Sequence, residues 1–325
     1  MNVLSLFNGM NTGRQALENV GIKVNKYYSS EIKPYAIELT QHHFPDTIQV
    51  GDVTKWKEWD IDWGSIDLIL SGSPCQDLSA AGKRAGINGK KSSLFFTFVE
   101  ILEHIKQLNP KVLFLQENVG SASKLDVGIM SRALGVYPVR INSSLVTAQL
   151  RDRYYWSNIR TRQDGMFGDI ITDIPQPKDR GIMFKDIITD GYVERLKSKT
   201  LLEQTEKSFG HKDKFSEKAQ EYIKGREKFG ASLVYVTRDK ALALLESESR
   251  VCTSQESIKK RAKRQFINII YDGDLVRTVN KIEMCRLQGF TDNYCDILTT
   301  SKAGSLLGDG WTLPIIEHIF SFIKN

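Results

Sequence analysis

The sequence predicts an α/β protein: a mostly parallel sheet covered by helices, with a smaller, more basic segment inserted in the middle of the chain. Three observations carry this expectation. Residues 1–156 alternate short β-branched or apolar runs with amphipathic segments, the pattern of βαβ units. That alternation stops over residues 157–274, and a helical pattern returns after Arg277. Charge follows the same division: residues 157–274 hold 23 Lys and Arg against 19 Asp and Glu, whereas the rest of the chain holds 22 against 20.

In chain order, residues 3–7 read as a strand, 13–20 as a helix, 26–30 as a strand and 33–42 as a helix. Strands follow at 47–50 and 66–70, the latter apolar enough to be buried on both faces. Residues 94–107 carry apolar positions at helical spacing, and 112–115 form a fifth strand. Pro175 and Pro177 mark the way into the insert. There, charged helical stretches at 193–206 and 217–228 precede strand-like runs at 233–237 and 265–271. The turn Asp272-Gly273-Asp274 predicts a hairpin. An amphipathic helix over 312–323 closes the chain. The expected domains are therefore 1–156 together with 275–325, and 157–274.

Composition excludes several classes. With 325 residues, 41% hydrophobic and 26% charged, the chain has the balance of a soluble protein of about two domains. No run approaches the ~18 apolar residues of a membrane span, and the amino terminus lacks the features of a signal peptide. Cys75, Cys252, Cys285 and Cys295 form neither a C-x-x-C pair nor a zinc spacing. The expectation is a cytoplasmic protein with no metal and no membrane partner. The formal charge of +6 permits a polyanionic one.

Parallel sheets bind ligands beyond the carboxyl ends of their strands. Gly9 and Gly13 lie between the first strand and helix, where backbone N–H groups can approach a ligand, although their spacing fits no standard phosphate loop. Glu31 follows the second strand, where an acid accepts ribose hydroxyls. Asp52 follows the third, where a carboxylate suits an adenine amino group. Either acid could also be a helix cap. Together the three features point to an adenosine-containing cofactor. The fourth strand runs into Ser71-Gly72-Ser73-Pro74-Cys75-Gln76, which places Cys75 in a Gly/Ser loop where a thiolate is accessible. The other three cysteines read equally well as small buried hydrophobes. The loop continues through Ser79, Gly82, Lys83, Arg84, Gly86, Gly89, Lys90 and Lys91, basic enough to close over an anionic substrate. Glu117-Asn118-Val119 after the fifth strand offers a carboxyl as an acid. Gln149, Arg151 and Arg153 share one short strand-like segment, which would also suit a surface salt-bridge ladder.

In this order the motifs resemble those of the cytosine-5 DNA methyltransferases, over almost the whole chain except 157–274. The matching residues are Phe7-Asn8-Gly9 with Thr12-Gly13, Glu31, Asp52, and Pro74-Cys75-Gln76 with Ser79 and Gly82. They continue with Glu117-Asn118-Val119, Gln149-x-Arg151-x-Arg153, Arg277-Thr278-Val279 with Glu283, Arg286-Leu287-Gln288-Gly289-Phe290 and Gly308-Asp309-Gly310-Trp311. The opening and closing motifs most resemble the branch containing the mammalian de novo enzymes, without its accessory domains. Two departures surround the cofactor: Gly9-Met10-Asn11-Thr12-Gly13 replaces the usual G-x-G-G, and Gly308-Asp309 the usual Gly-Asn.

The resemblance implies a Rossmann-like S-adenosylmethionine-dependent methyltransferase domain with an inserted target-recognition domain. It implies Cys75 as nucleophile at carbon 6 of a flipped-out cytosine, Glu117 at N3 and N4, Arg153 at O2, and Arg151 steadying Glu117 or the backbone. Phe7, Gly9, Thr12, Glu31, Asp52, Pro74, Leu94 and Trp311 would hold the cofactor. Gln76, Ser79, Lys83, Arg84 and Asn118 would face the substrate, double-stranded DNA. The insert would read DNA, its cluster Lys259, Lys260, Arg261, Lys263 and Arg264 lying on phosphates. A bacterial or phage modification enzyme fits this set, restriction-modification included. Two rivals are a tRNA cytosine-5 methyltransferase, whose Cys-Phe-Thr is absent after Pro74, and a non-catalytic DNA-binding paralogue. The Asp/Asn-Pro-Pro-aromatic motif of amino methyltransferases does not occur.

Overall fold

The computed structural model describes residues 1–74, 94–166, 168–191, 193, 241–242, 269–272 and 275–324. They fall into two compact units. The first comprises residues 1–143, 152–178 and 310–325, the second residues 144–151 and 179–309.

The first unit is built on a seven-stranded sheet. Val3, Leu4 and Leu6 are buried on alternating faces of β1 (Asn2–Leu6), which pairs in parallel with β2 (Lys26–Ser30) and β4 (Leu68–Ser71). The short β3 (Ile48–Gln49) extends β2, and β5 (Leu113–Val119) extends β4, all parallel. β6 (Val139–Asn142) and β8 (Asp152–Ser157) complete the order β3-β2-β1-β4-β5-β8-β6, with β8 antiparallel to both its neighbours. The chain leaves β1 in one direction and returns to its other side at β4. The ligand crevice of such a sheet therefore lies at the carboxyl ends of β1 and β4.

Two helices, α1 (Thr12–Asn19) and α2 (Pro34–His43), connect the first three strands. Gly13 lets α1 lie close to the sheet: a Cβ there would stand 2.4 Å from Leu70 Cδ1 and 3.0 Å from the Tyr27 hydroxyl. On the opposite face, α3 (Leu94–Leu108) buries Phe95, Phe98 and Ile101 against Ile69, Phe114 and Trp156. Each such side chain contributes about 1.5–3 kcal/mol on burial.

The expected strands and helices of residues 1–115 occur within a residue or two of their predicted bounds, apart from shorter third and fourth strands. Three elements differ. β5 runs on to Val119, so Glu117 and Asn118 lie inside the strand; their polarity suggested an end at 115, yet both are buried. The segment 149–153 is two strands, with β7 (Gln149–Leu150) in the second unit and β8 in the first. The helix α4 (Lys124–Leu134) and the antiparallel pair β9 (Thr161–Asp164) and β10 (Asp169–Thr172) were not foreseen. α4 carries the signals of a helix: the Ser123 hydroxyl accepts the Asp126 N–H, and Gly135 ends it at φ 69°.

In the second unit, β7 pairs in parallel with β11 (Ala241–Leu242). β12 (Ile269–Asp272) and β13 (Leu275–Thr278) form the hairpin expected from the turn at 272–274. α5 (Lys281–Gln288) has a capping box from Asn280 and Glu283 and ends at Gly289, φ 81°. α6 (Thr300–Asp309) follows, with Cys285 and Cys295 as buried thiols in this unit. The closing helix, α7 (Leu313–Phe320), returns to the first unit and packs against α1. The stretches 193–206, 217–228 and 233–237, the cluster 259–264 and Cys252 lie outside the described residues, Val193 apart.

Candidate active site

At the carboxyl end of β1 the chain turns sharply into α1. Phe7 (φ 56°) and Asn11 (φ 63°) adopt the left-handed conformation, which is uncommon for an aromatic residue and tolerated by asparagine. Asn11 thus stands at a position where the usual motif has glycine. The Gly9 N–H donates to Glu31 Oε2 at 2.8 Å, while Glu31 Oε1 accepts the N–H groups of Ile32 and Lys33 at 2.8 and 2.9 Å. One carboxylate therefore ties the ends of β1 and β2 together by three charge-assisted bonds. Asp52 Oδ1 caps the short helix Val53–Glu58 through the N–H and hydroxyl of Thr54, and the residue is exposed. Thr12 is buried at the start of α1, and Pro74 and Leu94 are half-buried.

Between β4, β5 and β8 lies a second set of groups. Glu117 is 8% exposed. Its Oε1 lies 2.8 Å from Arg153 Nε, and its Oε2 accepts the Trp311 indole N–H at 3.2 Å. Arg153 Nη1 also donates to the Asp152 carbonyl. Trp311 lies over Gly72, whose missing side chain leaves the room: a Cβ there would stand 2.8 Å from Trp311 Nε1. Alternation along the strands puts Gly72 and Glu117 on one face, one residue beyond the paired Ser71 and Gln116. Asn118 is 1% exposed, its amide turned to the Ser73 hydroxyl that also accepts from Gln116. Gly72 and Ser73 were read only as part of a loop; the signal that could have singled them out is their position immediately before Pro74.

In the second unit, Arg151 is 3% exposed and donates to the Gly308 carbonyl at 3.0 Å, and Gln149 donates to the Leu287 carbonyl and the Gln288 side chain. Cys75, Gln76, Ser79, Lys83 and Arg84 lie outside the described residues.

The profile described as C-5 cytosine-specific DNA methylase matches residues 1–325. The chain belongs to that family. Among its relatives is the orphan methyltransferase M.SPRI of Bacillus phage SPR, 33% identical over 172 residues. That match covers 49% of the chain and 38% of the phage enzyme, so the chain matches well under half of that relative's length. The type II methyltransferase M1.ScrFI of Lactococcus lactis subsp. cremoris is 26% identical over 98% of the chain and 76% of its own length. The methyltransferase EhMeth of Entamoeba histolytica has the same fold, with a TM-score of 0.60 at 14% identity, covering 100% of this chain and 99% of that one.

Enzymes of this C-5 cytosine methylase family take their methyl group from S-adenosylmethionine. The first unit fits such a group. Its crevice carries acceptors at Glu31 and Asp52, and among the described residues the buried Asn11 side-chain amide and Ser71 hydroxyl have no hydrogen-bond partner, which leaves polar capacity for a polar ligand. Among the described residues no helix is long and apolar enough to cross a membrane, and no group of His, Cys, Asp and Glu could hold a metal ion.

Proposed function

We propose that the chain methylates carbon 5 of cytosine in double-stranded DNA, as a modification enzyme of the bacterial or phage kind, through a transient bond between Cys75 and carbon 6 of the base. One observation carries the reading: a buried carboxylate, Glu117, held at the ligand edge of the sheet between Arg153 and the Trp311 indole. Phe7, Gly9, Thr12, Glu31, Asp52, Pro74, Leu94 and Trp311 would hold S-adenosylmethionine. Glu31 would use its remaining acceptor capacity on the ribose hydroxyls, and Asp52 its Oδ2 on the adenine amino group. When bound, the cofactor supplies a methyl group made electrophilic by its sulfonium.

Carbon 5 of cytosine is a poor nucleophile. Addition of the Cys75 thiolate at carbon 6 makes it enamine-like. Glu117, entering the step as the protonated carboxyl, gives its proton to N3 as negative charge develops and accepts from the N4 amino group with its other oxygen, while Arg153 stabilises that charge at O2. Arg151 steadies the backbone through the Gly308 carbonyl. Once carbon 5 is methylated, water or hydroxide removes its proton and Cys75 leaves as thiolate. Carbon 6 is hidden in a duplex, so the base must flip out at a cost of a few kcal/mol. The loop 76–91, with Gln76, Ser79, Lys83 and Arg84, would fill the gap and clamp phosphates, while Asn118 supports the base pocket. The insert expected at 157–274 would bind DNA through clusters such as 259–264, with a few side chains reading base edges.

The test is incubation with tritium-labelled S-adenosylmethionine and either unmethylated genomic DNA or tRNA, followed by bisulfite sequencing. The expected result is 5-methylcytosine in DNA with the native chain and none with Cys75→Ser. Label in tRNA alone would overturn the substrate, and no 5-methylcytosine in either would overturn the reaction.

A further inference from the structure

We infer that Trp311 is a positioning residue for the Glu117 carboxylate, with Gly72 as its seat; this rests on the catalytic role proposed for Glu117. The carboxylate is gripped at both oxygens, Oε1 by Arg153 Nε at 2.8 Å and Oε2 by Trp311 Nε1 at 3.2 Å. The terminal torsion of a glutamate is otherwise broad. With one donor on each oxygen, rotation of the carboxylate plane breaks at least one bond to a charged group. Trp311 therefore sets the angle at which Glu117 meets a base, acting through the carboxylate it holds.

Gly72 supports this assignment independently. A Cβ on it would lie 2.8 Å from Trp311 Nε1, 3.3 Å from Cε2 and 3.4 Å from Cζ2. The bare Cα lies under the N–H edge of the indole, the edge that reaches Glu117. A ring serving only as an apolar wall for a cofactor needs neither an N–H on a carboxylate nor open space under that edge. Indole N–H is a donor with no acceptor function, so its direction is fixed by its partner.

The test compares Trp311→Phe, Gly72→Ala and Glu117→Gln in the full chain. Two quantities are measured: affinity for S-adenosylhomocysteine by calorimetry, and the single-turnover rate on unmethylated genomic DNA at saturating S-adenosylmethionine. Trp311→Phe keeps a ring and removes the donor, and Gly72→Ala displaces the indole. Each should slow the saturated rate by about tenfold or more. In a Glu117→Gln background, Trp311→Phe should cost nothing further, because the two act as a unit. A rate that returns to the native value at saturating cofactor in both variants would overturn the inference, even if cofactor affinity falls. Should Trp311→Phe fail to fold, Gly72→Ala carries the same comparison. A native rate for Glu117→Gln itself would instead overturn the underlying role of Glu117.

Discussion

Arg153 reaches Glu117 diagonally across two antiparallel strands. In the register of β5 and β8, Glu117 opposes Tyr155 and Arg153 opposes Val119, yet Arg153 Nε lies 2.8 Å from Glu117 Oε1. Only a long side chain spans such a diagonal. The same guanidinium donates through Nη1 to the Asp152 carbonyl, so its plane is fixed from two directions. A lysine cannot reproduce that fork. Arg153→Lys should lower the single-turnover rate by about a hundredfold at saturating DNA and cofactor. A native rate would remove Arg153 from the chemistry.

Glu31 joins the ends of two strands through its bonds to Gly9, Ile32 and Lys33. In Glu31→Gln one acceptor oxygen becomes a donor that faces backbone N–H groups. The expected outcome is an affinity for S-adenosylhomocysteine weakened by about tenfold or more, with a stability loss of about 1–3 kcal/mol. Calorimetry and urea unfolding measure the two effects, and an unchanged affinity would exclude Glu31 from the cofactor site.

Gly13 allows α1 to approach β4. Gly13→Ala places a methyl group against Leu70 and the buried Tyr27 hydroxyl. Overpacking of this kind should cost about 1–3 kcal/mol in urea unfolding. Native stability would show that the helix shifts freely at that point.

The pair Arg286–Asp292 is bidentate, with bonds of 2.7 Å to each carboxylate oxygen. The guanidinium holds the Asp292 carboxyl below its usual range. A depressed folded-state value gives stability that is present above the unfolded value and lost as pH falls through the folded one. Both side chains are largely solvent-facing, so the contribution is screened to about 0.5 kcal/mol. Asp292→Asn should therefore be slightly less stable than the native chain at neutral pH and equal to it in strong acid. A gap that persists in acid would assign the effect to something other than this charge.

Local signals made part of this protein legible in its sequence. Apolar runs marked β1, β2, β4 and the first half of β5, and Glu31 and Asp52 were found because they sit directly after strands. Glu117 was found as a motif, but its place inside β5 was hidden. Three consecutive polar residues read as a strand end, and their burial depends on partners such as Trp311, 194 positions away. The division of 149–153 was hidden for a related reason. Alternation gives the direction of a side chain, but not which of two sheets its strand joins, so alternation alone does not separate Arg151 from Arg153. In the structure one holds the Gly308 carbonyl and the other holds Glu117.

The most direct test of the central claim, covalent catalysis at cytosine by Cys75, uses DNA synthesised with 5-fluorocytosine at every cytosine, so that no target sequence need be known. Fluorine at carbon 5 cannot leave as a proton does, and the enzyme stays bound to carbon 6. With S-adenosylmethionine present, the native chain should migrate with the DNA on a denaturing gel, and Cys75→Ser should not. Equal trapping of both, or of neither, would contradict the account.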